Sequence, residues 1–378
     1  MGTLCLFSAV LLPCVMLAAP GGESQSNWRV YIGPYTGGGS DGIYVAEYDA
    51  KTGKLAEPAL ATKTENPSFL AKHPTLPVVY AVGEAGAAGG TVSAFRIDAS
   101  TGMLTLINQK SSVGNGPCHV AVSPSGGHVA VANYGGGSVT LLPVADDGSL
   151  GDSSSFVQHV GTGPDPKRQE GPHAHAVYFD GAGKFLYVAD LGLDQVLVYD
   201  VDGEKGTLTP HTPPHVMVPP GQGPRHIAFH PSGRFAFVNN EMGNTVTVFA
   251  LDSATAEMKA LHAVSTLPAD FSGTSYTAEI EVHPSGQFLY VSNRGDDSIA
   301  MFGIDQQTGA LNFSGTTSTL GKWPRNFAIA PDGKFLLVAN QHTADIHVLQ
   351  IDAATGGLSA TGNHISVDKP VCILFVAK

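Results

Sequence analysis

Seven recurrences of one strand–turn–strand pattern along 378 residues predict an all-β chain folded as a seven-bladed β-propeller. Composition supports this: 46 Gly and 25 Pro with no sustained helical period suit many short strands and turns. A third observation is the last recurrence, which supplies only one strand, VCILFVAK (371–378). That strand is expected to be the inner strand of a blade whose other strands come from the N-terminal part of the chain. Joining the two ends in one sheet closes the ring and leaves no open sheet edge between blades.

The clearest copy of the unit is GPRHIAFHPSGRFAFVNNEMGNTVTVFALD, residues 223–252. It reads as strand a at 227–230, a Pro-Ser-Gly turn, strand b at 235–239, strand c at 245–252, and a poorer strand d. The residue before each first apolar run is Pro67, Pro117, Ala174, Pro224, Thr277, Pro324 or Pro370, at steps of 50, 57, 50, 53, 47 and 46 residues.

Taken in order, residues 1–22 read as a signal peptide. The run is apolar, with Ala18, Ala19 and Gly21 near a cleavage point, although no Lys or Arg precedes it. Export to the periplasm or beyond is therefore expected, with residues 23–378 forming one propeller domain. WRVYIGPYT (28–36) and GIYVAEYD (42–49) read as strands, and 55–63 as a third. A D-x-x-T-G turn at Asp49–Gly53 returns at Asp98, Asp305 and Asp352. The longest interruption, 144–169, is rich in Ser, Gly and Pro and reads as a loop over one face.

Several functions are disfavoured by composition. A net charge of -12 without a basic block argues against nucleic acid, and no run beyond the leader is long enough to span a bilayer. Cys118 and Cys372 form no metal-ligand pair, fall in blades that are not neighbours, and are expected to be free buried thiols. The chain is expected to be a monomer acting on a small anionic molecule, with no cofactor.

Chemistry is expected at one mouth of the channel, where strand a begins and strand b ends. The position after each anchor holds Ser68, Cys118, His175, Arg225, Ala278, Arg325 and Val371. The position six beyond the start of strand b holds Glu84, Tyr134, Leu191, Glu241, Arg294 and Gln341. A purely structural turn would repeat small residues; these differ from blade to blade, which suggests a composite pocket. Arg225 and Glu241 should meet at the rim, where Arg225 would hold the carboxylate ionised; a structural salt bridge is the alternative. His173 and His175, two apart on a strand, should point the same way. No third ligand follows at metal-binding spacing, so no metal is expected, and His175 suits acid–base chemistry or hydrogen bonding. Arg294 suits bidentate binding of carboxylate or phosphate oxygens. His173, Arg325 and Tyr134 complete the rim as substrate-binding residues. His73, His230 and His283, beside the far turns, are expected to be structural.

At GPHAHAVYFD, GPRHIAFHPSGRFAFVNNE and YVSNRGDD the chain resembles the lactonase family of seven-bladed propellers. That family includes the propeller-type 6-phosphogluconolactonase and the fungal carboxymuconate cyclase. The resemblance covers residues 28–378 and implies a site of His175, Arg225, Glu241 and Arg294, all four at mouth positions. The GAG turn at 181–183 departs from the usual PDG form, and export would separate the chain from cytosolic sugar phosphates. The resemblance implies a metal-independent lactonase acting on a sugar-acid lactone. A cyclase-type cycloisomerase and a non-catalytic binding propeller are the alternatives.

Overall fold

The computed structural model describes residues 27–84 and 89–378; the leader expected at 1–22 lies outside them. The described residues form 29 β-strands and no α-helix, arranged as seven antiparallel sheets around a central channel. Six sheets have four strands in simple meander order. The seventh closes the ring: inner strand Pro370–Ala377 pairs with Asn27–Pro34, which pairs with Gly42–Asp49. The expected closure by the two ends of the fold is therefore observed.

The second strand of each blade explains the continuous apolar runs. Phe185–Asp190, Phe235–Asn240 and Phe335–Asn340 are buried along their whole length, because neighbouring blades cover both faces of the sheet. Seven apolar clusters result, each joining two adjacent sheets. One packs Val30 and Ile32 of the closing sheet on Phe335 and Leu337; another packs Phe237 and Val248 on Leu289 and Val291. Outer strands such as Glu257–Ser265 are mostly exposed.

Polar contacts reinforce the blade interfaces at the face away from the mouth. In the D-x-x-T-G turns, the Asp98 carboxylate accepts the Ser100 and Thr101 amides, and Gly102 takes φ +77°. The carbonyl of Gly102 then accepts the Tyr31 hydroxyl of the preceding blade at 2.7 Å. At Gly53, an added Cβ would stand 2.8 Å from the Phe335 ring, so glycine serves both the turn and the packing. His230 Nε2 meets the Gly286 carbonyl at 2.9 Å and His283 Nε2 that of Gly333 at 2.9 Å, and His73 bridges to Gly126 in the same way. These far-turn histidines tie three of the seven blades to the next.

Three boundaries differ from expectation. The third strand of the closing sheet is two pieces, Lys54–Leu55 and Ala59–Lys63, because Pro58 lacks the donor that continuous pairing needs. The interruption at 144–169 includes an outer strand, Ser155–Gln158, before it becomes a loop. Strand a begins at Pro224 rather than Ile227 and ends at Phe229, which leaves His230 in the turn.

Candidate active site

A β-bulge lies at the start of the inner strands. Pro224 pairs with Asn240 and His226 with Asn239, which leaves Arg225 as the extra residue. The same irregularity sets off His175 and Arg325, and Cys118 and Val371 occupy it in two further blades. A bulge re-aims the side chain of its extra residue. The position after the anchor is therefore turned into the mouth, while the next residue resumes the regular alternation.

Glu241 follows its strand directly, its amide bonded to the Gly223 carbonyl at 2.7 Å. Its carboxylate is the centre of the mouth. Oε2 lies 2.9 Å from Arg294 Nη2 and 3.2 Å from Arg225 Nε, and Oε1 accepts Arg168 Nη2 at 2.6 Å. Burial pushes the Glu241 carboxyl up, but Arg294, Arg225 and Arg168 outweigh it and hold it well below the usual carboxylate range. Arg225 also donates from Nη1 to the Ala278 carbonyl. Arg294 donates to the Thr277 carbonyl at 3.0 Å and lies over the faces of Trp323 and Tyr276, 5.5 and 6.0 Å from the ring centroids.

His175 is buried beside this cluster. Burial, then Arg225, His226 and two further arginines, drives its pKa well below the ordinary histidine value, so the imidazole is neutral at pH 7. Cys118, expected to be a free buried thiol, is one: it donates to the His175 carbonyl at 3.1 Å, as Cys372 also stays unpaired and buried. His173 and His175 do not form a metal pair. His173 precedes the strand, stacks on Tyr134 at 4.6 Å and bonds through Nδ1 to the Tyr134 carbonyl, while the bulge turns His175 toward the channel. Tyr134 sits edge-on to His175 at 5.4 Å. Among the described residues, no three His, Cys, Asp or Glu side chains converge as metal ligands would.

Arg325 faces the same mouth with no carboxylate partner among the described residues. It donates to the Tyr35 hydroxyl at 3.0 Å and lies over that ring; Tyr35 and Ser68 in turn donate to Glu84. Four guanidiniums thus face two carboxylates, leaving the mouth positive within a chain of net charge -12.

The structure brings together the seven residues singled out as site candidates, His173, His175, Arg225, Glu241, Arg294, Arg325 and Tyr134, and adds four more. Arg168 comes from the long interruption, where buried Gln169 bonds to the Leu191 carbonyl and fixes the loop. No repeat register marks it; its only signal is Lys167-Arg168 within the longest step between anchors. Tyr276 and Trp323 had a readable signal. Both occupy the position before an anchor, as His173 does, and glycine holds that place at 116 and 223. Tyr35 lies just past the first strand of the closing sheet.

A closed seven-sheet ring with a composite, arginine-rich mouth is the class of protein that this fold and site define. Residues 29–375 match the family model described as lactonase, 7-bladed beta-propeller. The chain belongs to this lactonase family. It is 39% identical over 346 residues to a 6-phosphogluconolactonase of Bacillus subtilis, covering 92% of this chain and 97% of the relative. A 6-phosphogluconolactonase of Formosa agariphila is 32% identical over 76% of this chain and 82% of its own length. The solved structure of a periplasmic gluconolactonase from Pseudomonas aeruginosa superposes with a TM-score of 0.88 at 34% identity, covering 93% of this chain and 99% of that one.

Proposed function

We propose that the chain is a lactonase that opens an anionic sugar-acid lactone, of the 6-phosphogluconolactone type, by direct attack of water at this mouth. The observation that carries the reading is the convergence of Arg168, Arg225 and Arg294 on Glu241 beside a neutral, buried His175. Water oxygen adds to the ester carbonyl carbon while its proton passes to His175. The negative charge that develops on the carbonyl oxygen is met by Arg225 and Arg294. Collapse of the tetrahedral intermediate breaks the ring C–O bond, and the departing alkoxide takes the proton back from His175. The product is an open-chain hydroxy acid, and His175 returns neutral.

Glu241 is better suited to holding the guanidiniums than to removing the proton. Both its oxygens are occupied by arginines, whereas His175 makes no ion pair among the described residues. Arg325, with its free donors, would take the phosphate or carboxylate remote from the reacting ester. The named relatives span a phosphorylated and an unphosphorylated sugar lactone, and the apolar run expected to be a leader at 1–22, with the periplasmic Pseudomonas neighbour, favours an exported enzyme acting outside the cytosol.

The test is hydrolysis of 6-phosphogluconolactone and unphosphorylated aldonolactones by purified residues 23–378, beside an Arg225→Ala variant. Lactones open spontaneously, so the expected result is a rate above buffer that the variant loses. Full turnover by Arg225→Ala, or no turnover of any lactone by folded protein, overturns the reading.

A further inference from the structure

Beneath the mouth lies a second polar layer that the hydrolytic scheme does not use. Arg225 is the bulged residue of its strand, so its side chain and that of His226, the next in sequence, both reach the channel. Arg225 Nη1 stands 3.2 Å from His226 Nε2. A guanidinium only donates, so Nε2 must be the acceptor and carries no proton. The imidazole hydrogen therefore sits on Nδ1, which faces Glu279 Oε1 at 2.7 Å. Glu279 comes from the next blade and is itself over-determined. Oε1 also accepts the Ile280 amide at 3.0 Å, and Oε2 accepts Asn326 Nδ2 at 2.5 Å from a third blade. Asn326 is oriented by the Ile373 amide of the closing sheet, which donates to its Oδ1 at 2.8 Å. Glu279, His226, Arg225 and Asn326 are all buried or nearly so.

The directions of these bonds form one unbroken chain across four blades. We propose that Glu279 and His226 are positioning residues for Arg225: the carboxylate fixes the Nδ1–H tautomer of His226, whose Nε2 then holds the guanidinium against Glu241. The geometry requires this polarity. An Nε2–H tautomer would set donor against donor at 3.2 Å and push Arg225 from its place. Protonation of both nitrogens would add a cation beside Arg225 in the channel wall. The relay therefore keeps His226 neutral and single-tautomer, as a carboxylate behind a histidine does in other sites where the ring must face one way. Below it opens a cavity of about 610 Å³ lined by Glu279, Glu281, Tyr178 and apolar side chains, reached from the opposite face of the ring. The carboxylate thus lies between that cavity and the reacting mouth.

Two measurements test it. The first needs no substrate: nitrogen-15 spectra of histidine-labelled protein, with His226 assigned by the resonances lost in His226→Gln. Burial pushes the Glu279 carboxyl up to about 7, so the signal is read at pH 8, where Glu279 is the carboxylate, and the expected form is a neutral ring protonated on Nδ1. An Nε2–H ring or an imidazolium overturns the relay, whatever reaction the protein performs. The second rests on the lactonase reading. Glu279→Leu, which removes the acceptor, should lower kcat about 10–100-fold with KM changed far less. Glu279→Gln, made together with Asn326→Asp so that the new amide meets an acceptor, keeps a carbonyl oxygen for Nδ1–H and should recover to within about threefold of the parent. Glu281→Gln, in the same cavity without contact to His226, should match the parent. Equal activity of the Leu and Gln variants overturns the proposal; absence of all lactone turnover with the expected spectrum overturns only the assigned reaction.

Discussion

Replacing Glu241 by Gln removes one negative charge from between three guanidiniums, and its consequence can be worked out before any substrate is known. The side chains of Glu241, Arg225 and Arg294 are 8%, 4% and 6% exposed, so water cannot take over the lost interaction. Breaking a buried ion pair by removing one partner costs about 3–5 kcal/mol, since the remaining charge stays buried. Unfolding entropy near 2.1 cal/mol/K per residue, over about 350 ordered residues, is about 0.7 kcal/mol/K, so the expected loss is about 4–7 °C in Tm. Inorganic phosphate should restore part of it. A site with Kd of about 1 mM in 50 mM phosphate gains about 2 kcal/mol, or about 3 °C, and the variant, with its uncompensated guanidiniums, should gain more than the parent.

The pH dependence has a defined sign. Glu241 has a folded pKa below its unfolded value, so its contribution is fully present above the unfolded pKa, near 4.5, and is lost as pH falls toward the folded one. The gap between parent and variant should thus be widest above about pH 5 and narrow, without closing, as pH falls to 3.5, because the folded pKa lies lower still. Calorimetric melts of both proteins, with and without phosphate, at pH 7, 5 and 3.5 measure it. A variant that melts within a degree of the parent at pH 7, or gains no more from phosphate, would refute the account of the mouth as an arginine cage around one carboxylate.

Three further expectations follow from the same geometry. His175→Gln should lower kcat by about 10²–10⁴-fold, the usual worth of a general base, with little change in Tm because the ring it replaces is neutral; steady-state kinetics and a melt decide this. Arg325→Gln should raise KM for a phosphorylated lactone by about tenfold or more and leave the unphosphorylated lactone within about threefold, since its donors face no carboxylate. Arg168→Ala should weaken turnover while shifting Tm by under about a degree, because that side chain is a third exposed and lies on a surface loop.

The fold was largely legible because a propeller repeats its signals. The anchors, the Pro-Ser-Gly turns and the leftover strand 371–378 were enough to place every blade and the closure, and Thr245–Asp252 matched to the residue. The mouth was legible where it followed the repeat: His175, Arg225, Arg325, Tyr134, Glu241 and Arg294 share registers that a reader can count. What escaped was anything decided between strands. No local pattern announces that Arg225 is the extra residue of a bulge; strict alternation would send Arg225 and His226 to opposite faces, which hides the second layer with Glu279. Arg168 escaped because an insertion has no register, and its reach to Glu241 depends on how Gln169 pins the loop. The paired histidines misled for the same reason as the bulge: spacing of two implies one face only while the strand stays regular.

The position before the anchor shows how the fold and the site share one backbone. It takes a left-handed conformation in several blades, and Gly116 and Gly223 hold it at φ +60° and +64° without strain. Trp323 holds it at φ +64° as well, where a bulky side chain costs on the order of 1–2 kcal/mol. Its backbone amide donates to Asp297 at 2.8 Å, as a glycine's would, but the indole adds contacts no glycine makes: the ring lies against the Arg294 guanidinium and stacks on His342 at 4.9 Å. Seven apolar interfaces between blades supply the stability that lets one blade depart from the unstrained choice. The departure stands beside the guanidinium that Glu241 holds, where the indole ring packs against Arg294. The strain at Trp323 and the burial of charge around Glu241 thus fall at the same end of the ring, while at the opposite end Gly53 and the far-turn histidines keep to the repeat.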